Sequence, residues 1–117
     1  MNFEKQPTSS PMVVPQDRRA HPRLAVQLQV ELRKQGEDVP FRLETTDLSK
    51  GGCYIQMMMT MPVGTNVNMT LWINDSPIRV RARVVTSHPQ YGNGIMFLEF
   101  QDNGKQLLER YLDAMNV

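Results

Sequence analysis

The chain has 117 residues, of which 40% are hydrophobic, and this suits one domain with a single core of moderate size. Its net charge of +1 excludes the large positive excess of a general nucleic-acid binder, so we expect neither DNA nor RNA as a partner. No apolar run approaches the ~20 residues that cross a bilayer, and the N-terminus lacks the basic and apolar segments of a signal peptide. We therefore expect a cytoplasmic protein that does not insert into a membrane.

The first 17 residues are predicted to form a flexible tail. This segment is interrupted by prolines and has no sustained apolar period. Within it, Met12-Val13-Val14 is a small apolar island that we interpret as having no function of its own. The alternative is that this island docks on the folded domain when a ligand orders the neighbouring residues. Residues 18–117 are assigned to one folded domain.

A cluster of arginines follows the tail. Arg18, Arg19 and Arg23 fall within six consecutive residues. Pro22 disfavours a helix here, because proline pushes the residue before it towards extended geometry. We therefore expect an extended segment, residues 18–23, that carries three guanidinium groups into the first strand. We call this segment the arginine strap.

The next two segments are predicted to pair as an antiparallel hairpin. Residues 24–33 alternate apolar and polar side chains, a polar turn follows, and residues 41–46 return as a second strand. A hairpin folded at residue 35 places Arg23 opposite Asp47.

The sequence Asp47-Leu48-Ser49-Lys50-Gly51-Gly52 follows the second strand, and we call it the glycine turn. On an extended chain Asp47 and Ser49 share one face, which then carries a carboxylate and a hydroxyl. Gly51 and Gly52 permit a sharp turn and the close approach of a ligand, since neither has a Cβ. Taken alone, the glycine turn favours a β-turn that stabilises itself. The arginine strap at the same strand end favours a site for a planar anion.

Four more strands and a helix are predicted in the rest of the chain. The strands lie at residues 53–58, 66–73, 78–84 and 94–100. Apolar residues at helical spacing from Leu107 to Met115 predict one amphipathic helix, with Asp102 or Asn103 as its N-cap. Six successive strands with short connections fit a closed or nearly closed antiparallel barrel, and the helix is expected to cover one open end.

Two features of these strands have alternative interpretations. The methionine-rich residues 57–61 favour packing in the core or at the rim, because methionine fills irregular gaps; a partner-binding surface is the alternative. Arg79, Arg81 and Arg83 share one face of the fifth strand, and we interpret this row as a solvated outer face. It could instead extend a phosphate site or contact an acidic partner.

The arginine strap and the glycine turn together resemble the PilZ family. Arg19 and Arg23 match an Arg-x-x-x-Arg motif, and Asp47, Ser49 and Gly52 match an Asp/Asn-x-Ser-x-x-Gly motif in the expected order. The resemblance implies an all-β fold, a six-stranded antiparallel β-barrel with a C-terminal α-helix. It also implies a cytoplasmic bacterial receptor for cyclic di-GMP that signals to an unidentified downstream protein, in motility or biofilm regulation.

The resemblance further implies which residues contact the ligand. The implied contacts are Arg18, Arg19, Arg23, Asp47, Ser49, Gly51 and Gly52, with no catalytic residue, cofactor or metal ligand. An arginine at position 18, directly before the first motif, implies an intercalated ligand dimer and hence two ligands per chain. The late-strand stacking residue of some family members has no obvious equivalent here, unless His88 or Tyr91 serves.

The sequence also bears on three other functions. An enzyme is disfavoured because Cys53 has no base beside it in the sequence, and because no acidic dyad, metal cluster or phosphate-loop motif is present. A nucleotide-independent adaptor with a PilZ-like barrel is the main alternative, although the intact motifs argue against it. A small RNA-binding barrel would suit the arginine row, but the near-zero charge and the few aromatic side chains do not favour it.

Overall fold

The computed structural model describes residues 22–115, which form six strands and one helix. These are β1 (Gln29–Lys34), β2 (Phe41–Leu48), β3 (Gly52–Gln56), β4 (Asn66–Ile73), β5 (Ser76–His88), β6 (Gly92–Phe100) and α1 (Gly104–Met115). The strands pair antiparallel in the order β1-β2-β3-β6-β5-β4 and close into a barrel. The predicted six-stranded antiparallel barrel with a C-terminal helix is confirmed. The predicted tail, Arg18 and Arg19 lie outside the described residues.

Alternating side chains fill the inside of the barrel. On β4, for example, Val67, Met69 and Leu71 are each at most 2% exposed, while Asn66 and Asn68 between and beside them are exposed. The other strands contribute buried aliphatic side chains in the same way, and together they make one continuous core. Because side chains occupy the interior, a ligand has to bind on the outer surface or at the rim.

The first strand is shorter than its alternation predicts. Val26 and Leu28 are buried as expected, but regular pairing begins only at Gln29. Before that point the hydroxyl of Thr45 accepts a hydrogen bond from the Leu28 N–H at 2.9 Å and donates one to the Val26 carbonyl at 2.7 Å. This buried side chain takes the place of ladder hydrogen bonds, so the segment before β1 stays attached to β2 without being regular strand.

The hairpin centre also differs from the prediction. The register pairs Gln29 with Glu44 and Leu32 with Phe41, which places the centre after Gly36 instead of at residue 35. Pro40 has no N–H to donate, so regular pairing resumes only after it. The strap end of the hairpin is fixed at Leu24, whose N–H and C=O each bond to Leu48 at 2.9 Å.

Strands β5 and β6 extend further than predicted. The gap between the predicted strands at 78–84 and 94–100 shrinks to a tight turn between His88 and Gly92, in which Gln90 adopts a φ of 68°. Register shifts occur between Arg81 and Ala82 and between Val84 and Thr86. Each such bulge adds a residue to one strand, which breaks the alternation on which the sequence prediction depended.

The methionine-rich residues 57–61 are buried only in part. Met57 and Met61 are 9% and 1% exposed and belong to the core, whereas Met58 and Met59 are 75% and 83% exposed. The buried amide of Asn93 holds this segment, because it bonds to both the N–H and the C=O of Met61 at 2.8 Å.

The C-terminal helix packs against β5. It begins at Gly104, directly after the predicted cap Asn103, and a Cβ on Gly104 would lie 2.9 Å from Cγ2 of Ile78. Its own side chains Leu108 and Leu112 are buried and belong to the core of the barrel. Among residues 22–115, no helix is long and apolar enough to span a membrane.

Candidate functional site

The structure brings the last residue of the arginine strap to the glycine turn. Nη1 of Arg23 lies 3.2 Å from Oδ1 and 3.4 Å from Oδ2 of Asp47. Their side chains are 26% and 30% exposed, so this ion pair is partly open to solvent and available to an incoming ligand. Arg23 reaches Asp47 diagonally, because the backbone bridge joins Leu24 to Leu48.

Ser49 is placed differently from what a ligand contact requires. Its side chain is buried, and the hydroxyl accepts hydrogen bonds from the N–H groups of Gly51 and Gly52 at 3.2 and 3.1 Å. The same hydroxyl lies 3.3 Å from the Gly52 carbonyl, to which it donates. In this arrangement Ser49 shapes the glycine turn from within, as Ser commonly does in turns.

Gly52 is explained by the packing of two strands. A Cβ at this position would collide with the backbone carbonyl oxygen of Ile95 on β6 and lie 3.3 Å from Cα of Met96. Gly51 is held to the same strand, because its carbonyl accepts the Phe97 N–H at 2.9 Å. The two glycines therefore bring the turn close against β6, a reason that the local sequence does not contain.

A lysine connects the glycine turn to the C-terminal helix. Nζ of Lys50 lies 2.9 Å from Oδ1 of Asp113 on α1. The hydrogen bond to Asp113 raises the pKa of Lys50, which therefore stays charged at physiological pH. The side chains of this pair are exposed by 33% and 64%, so the contact is solvent-screened.

A tyrosine that the sequence analysis did not single out lies beside the same turn. Tyr54 pairs with Asp47 in the β2–β3 ladder, so both side chains leave the same face of the sheet. Its hydroxyl is 2.9 Å from Nδ1 of His88, the residue named as a possible stacking group. Burial, with a smaller contribution from the Asp47 carboxylate, raises the pKa of Tyr54, so the phenol is neutral at physiological pH.

Cys53 is unsuited to chemistry at this site. Its side chain is fully buried, and burial raises the pKa of the thiol to about 12. A thiolate is the reactive form of cysteine, and almost none exists here at neutral pH. In the part of the chain that the structure describes, no three His, Cys, Asp or Glu side chains form a group that could hold a metal ion.

The arginine row on β5 is largely occupied by neighbours on the barrel surface. Arg81 bonds to Oε1 of Glu99 at 2.7 and 3.0 Å, and Nε of Arg83 bonds to Oδ1 of Asn66 at 3.1 Å. These are exposed contacts, as expected for a solvated outer face.

A large surface groove lies elsewhere on the barrel. It has a volume of about 810 Å³ and crosses the outer faces of β1 and β2, where Trp72 contributes to its lining. Its charged lining includes Glu31, Glu44 and Asp75, with Arg42 as the cation, and Arg42 already lies 3.5 Å from Glu31. Carboxylates repel phosphates, so this groove does not suit the planar anion expected from the sequence.

The sequence matches the model of one known protein family. The family model described as PilZ domain matches residues 17–114. No curated protein gives a significant match.

Three solved structures share the fold at low sequence identity. The PilZ domain of CeSA from a cellulose-synthesising bacterium has a TM-score of 0.62 and 17% identity, and the match covers 81% of this chain and 98% of that one. The Bacillus subtilis inhibitor of motility, MotI/DgrA, has a TM-score of 0.70 and 16% identity, over 85% of this chain and 51% of that one. The PilZ domain of Escherichia coli YcgR with c-di-GMP has a TM-score of 0.61 and 13% identity, over 85% and 92%.

Proposed function

We propose that this chain, which belongs to the PilZ domain family, is a receptor for cyclic di-GMP. The observation that carries the proposal is the Arg23–Asp47 pair, which joins the arginine strap to the glycine turn at 3.2 Å on the outer surface of a filled barrel. A cation and a carboxylate side by side, both part-exposed, suit a ligand that has phosphates and donor-rich bases.

The chemistry of cyclic di-GMP fits these two groups. A guanidinium is planar, permanently charged and able to donate two parallel hydrogen bonds, so it binds phosphate, or O6 and N7 of guanine. The Watson–Crick edge of guanine presents the N1–H and N2–H donors, and the ionised Asp47 is an acceptor for them. The proposed contacts are Arg18, Arg19, Arg23, Asp47, Ser49, Gly51 and Gly52.

The buried hydroxyl of Ser49 changes how this contact set would work. Because the hydroxyl accepts two backbone N–H groups within the turn, Ser49 would act on the ligand mainly through the shape of the glycine turn. Arg23 and Asp47 would make the direct polar contacts on the described part of the chain.

Signalling would proceed by ordering of the arginine strap. Arg18, Arg19 and Arg23 repel one another, and the phosphates of the ligand would neutralise them and hold the strap against the barrel. The surface altered in this way would be recognised by a downstream protein in the bacterial cytoplasm. Arg18 supports binding of an intercalated ligand dimer, that is, two ligands per chain. The chain would act as a binding module and not as a catalyst.

Isothermal titration calorimetry tests this proposal. The purified chain is titrated with cyclic di-GMP, with GTP and cyclic di-AMP as matched controls. Saturable binding of cyclic di-GMP near two ligands per chain is the expected result, with much weaker or no heat from the controls. Saturation near one ligand would remove the dimer and leave the receptor. The absence of binding well above micromolar concentration would contradict the proposal.

A nucleotide-independent adaptor remains the second candidate, and one observation favours it. Met58 and Met59 project from the barrel with 75% and 83% of their surfaces exposed, and methionine surfaces adapt to different partners. In this case the partner would bind equally with and without cyclic di-GMP, and the titration above would be flat.

A further inference from the structure

We propose that Tyr54 is a stacking platform for one guanine of the ligand, held in place by His88 and Gly92. The inference rests on the proposed function and adds a specificity-determining residue outside the two sequence motifs. It starts from a row of side chains that crosses four strands of the barrel.

The row begins at the carboxylate of the glycine turn. Asp47 on β2 pairs with Tyr54 on β3, Tyr54 pairs with Gly94 on β6, and Gly94 pairs with Thr86 on β5. Paired residues project from the same face, about 5 Å apart at Cβ. The barrel surface next to Asp47 therefore carries one aromatic ring, followed by a residue without a side chain and a short one.

Backbone packing fixes the underside of the Tyr54 ring. A Cβ placed on Gly92 would lie 2.8 Å from Cε2 of Tyr54, so the ring rests over the bare backbone of that glycine. Gly92 lies two residues before Gly94 on β6 and pairs with Gln56, so it is the diagonal neighbour of Tyr54 on the same face. The ring thus lies across β6 instead of pointing away from it.

A hydrogen bond fixes the outer end of the ring. The Tyr54 hydroxyl lies 2.9 Å from Nδ1 of His88, and the two rings are 5.9 Å apart at an angle of 39°. An aromatic side chain held along its length and at its tip loses little further freedom when a base stacks on it, so the platform is preorganised. Part of the Tyr54 side chain remains accessible to solvent.

The combination of this ring with Asp47 selects guanine. Stacking alone accepts any base, because every base has a π-face. The discriminating group is the carboxylate in the same row, which can accept the N1–H and N2–H of guanine, whereas the corresponding edge of adenine presents an acceptor at N1. A carboxylate has about four lone-pair sites, and the contact with one nitrogen of Arg23 leaves others free. A base stacked on Tyr54 would turn its polar edge towards Asp47.

A set of three variants tests the platform by calorimetry with cyclic di-GMP. Tyr54→Leu removes the ring and is expected to weaken binding roughly 5- to 150-fold, the usual effect of losing one base–aromatic stack. Tyr54→Phe keeps the ring, loses only the bond to His88, and is expected to bind within about threefold of the wild type. Tyr91→Leu tests the other stacking residue that the sequence left open, because Tyr91 is 73% exposed in the turn between β5 and β6; a loss of affinity in this variant with none in Tyr54→Leu would overturn the platform.

Nuclear magnetic resonance separates stacking from a purely structural role. On saturation of the wild type with cyclic di-GMP, the ring protons of Tyr54 are expected to shift upfield and to show cross-relaxation with guanine H8. A wild type that binds while these protons do not move would overturn the platform, even where Tyr54→Leu binds weakly or fails to fold. Equal affinities of Tyr54→Leu and the wild type would also overturn it and leave the receptor in place. A wild type that does not bind at all would remove both proposals.

Discussion

Substitution of Gly52 by alanine separates the two explanations for this glycine, room for a ligand and close packing of strands. An added Cβ collides with the carbonyl oxygen of Ile95 and lies 3.3 Å from Cα of Met96. Both obstacles are backbone atoms of a paired strand, which cannot rotate away as a side chain does. We expect Gly52→Ala to lower the free energy of unfolding by about 3 kcal/mol, the upper end of the usual cost of overpacking. The thermal midpoint should fall by roughly 10 °C.

Urea denaturation of the ligand-free chain measures this cost. Gly94→Ala is the matched control, because Gly94 lies on the paired strand β6 and its added Cβ would lie 3.1 Å from Cβ and 3.3 Å from Oγ1 of Thr86, a much milder contact than the collision at Gly52. A shift of the two strands by a few tenths of an ångström relieves this contact, so we expect a loss of about 1 kcal/mol, the lower end of the usual cost of overpacking. Equal stabilities of Gly52→Ala and the wild type would refute the packing argument. If such a stable variant also lost cyclic di-GMP binding, the glycine would be required for the ligand.

Two further predictions concern the same turn. Ser49→Ala should lower the free energy of unfolding by about 1–3 kcal/mol in urea denaturation, because the N–H groups of Gly51 and Gly52 lose their shared acceptor; a neutral effect would show that these N–H groups find other partners. Cys53 should not react with a thiol reagent at pH 8 in the folded chain and should react fully in urea, since its pKa of about 12 leaves almost no thiolate; rapid labelling of the folded chain would contradict the burial of this side chain.

The sequence predicts the barrel well where alternation is uninterrupted. On β4 the predicted residues 66–73 are the observed strand, because each inward position carries an aliphatic or methionine side chain and each connection is short. Prediction is poorer between Val84 and Thr86, where a bulge shifts the register. Val84 and Val85 are adjacent and both apolar, so the sequence does not show which of them faces outward. A bulge depends on how two strands fit after closure, which local spacing does not record.

The candidate site could be predicted only in part, and for a similar reason. The proximity of Arg23 and Asp47 follows from folding a hairpin, although the centre of that hairpin is displaced. The inward hydroxyl of Ser49 depends on how the turn closes. The placement of Tyr54 over Gly92 depends on β3 pairing with β6, a contact between segments nearly forty residues apart that motif spacing cannot reveal.

The most direct test of the proposed site compares two arginines by calorimetry with cyclic di-GMP. Arg23→Ala removes the guanidinium beside Asp47, and losing a charge-assisted hydrogen bond to phosphate should weaken binding roughly 10- to 150-fold. Arg81→Ala removes an equal charge from the outer face of β5, where Arg81 bonds to Glu99, and should bind like the wild type. Selective loss in Arg23→Ala is the result that this account predicts. Equal loss in both variants, or none in either, would contradict the assignment of the site to the arginine strap and the glycine turn.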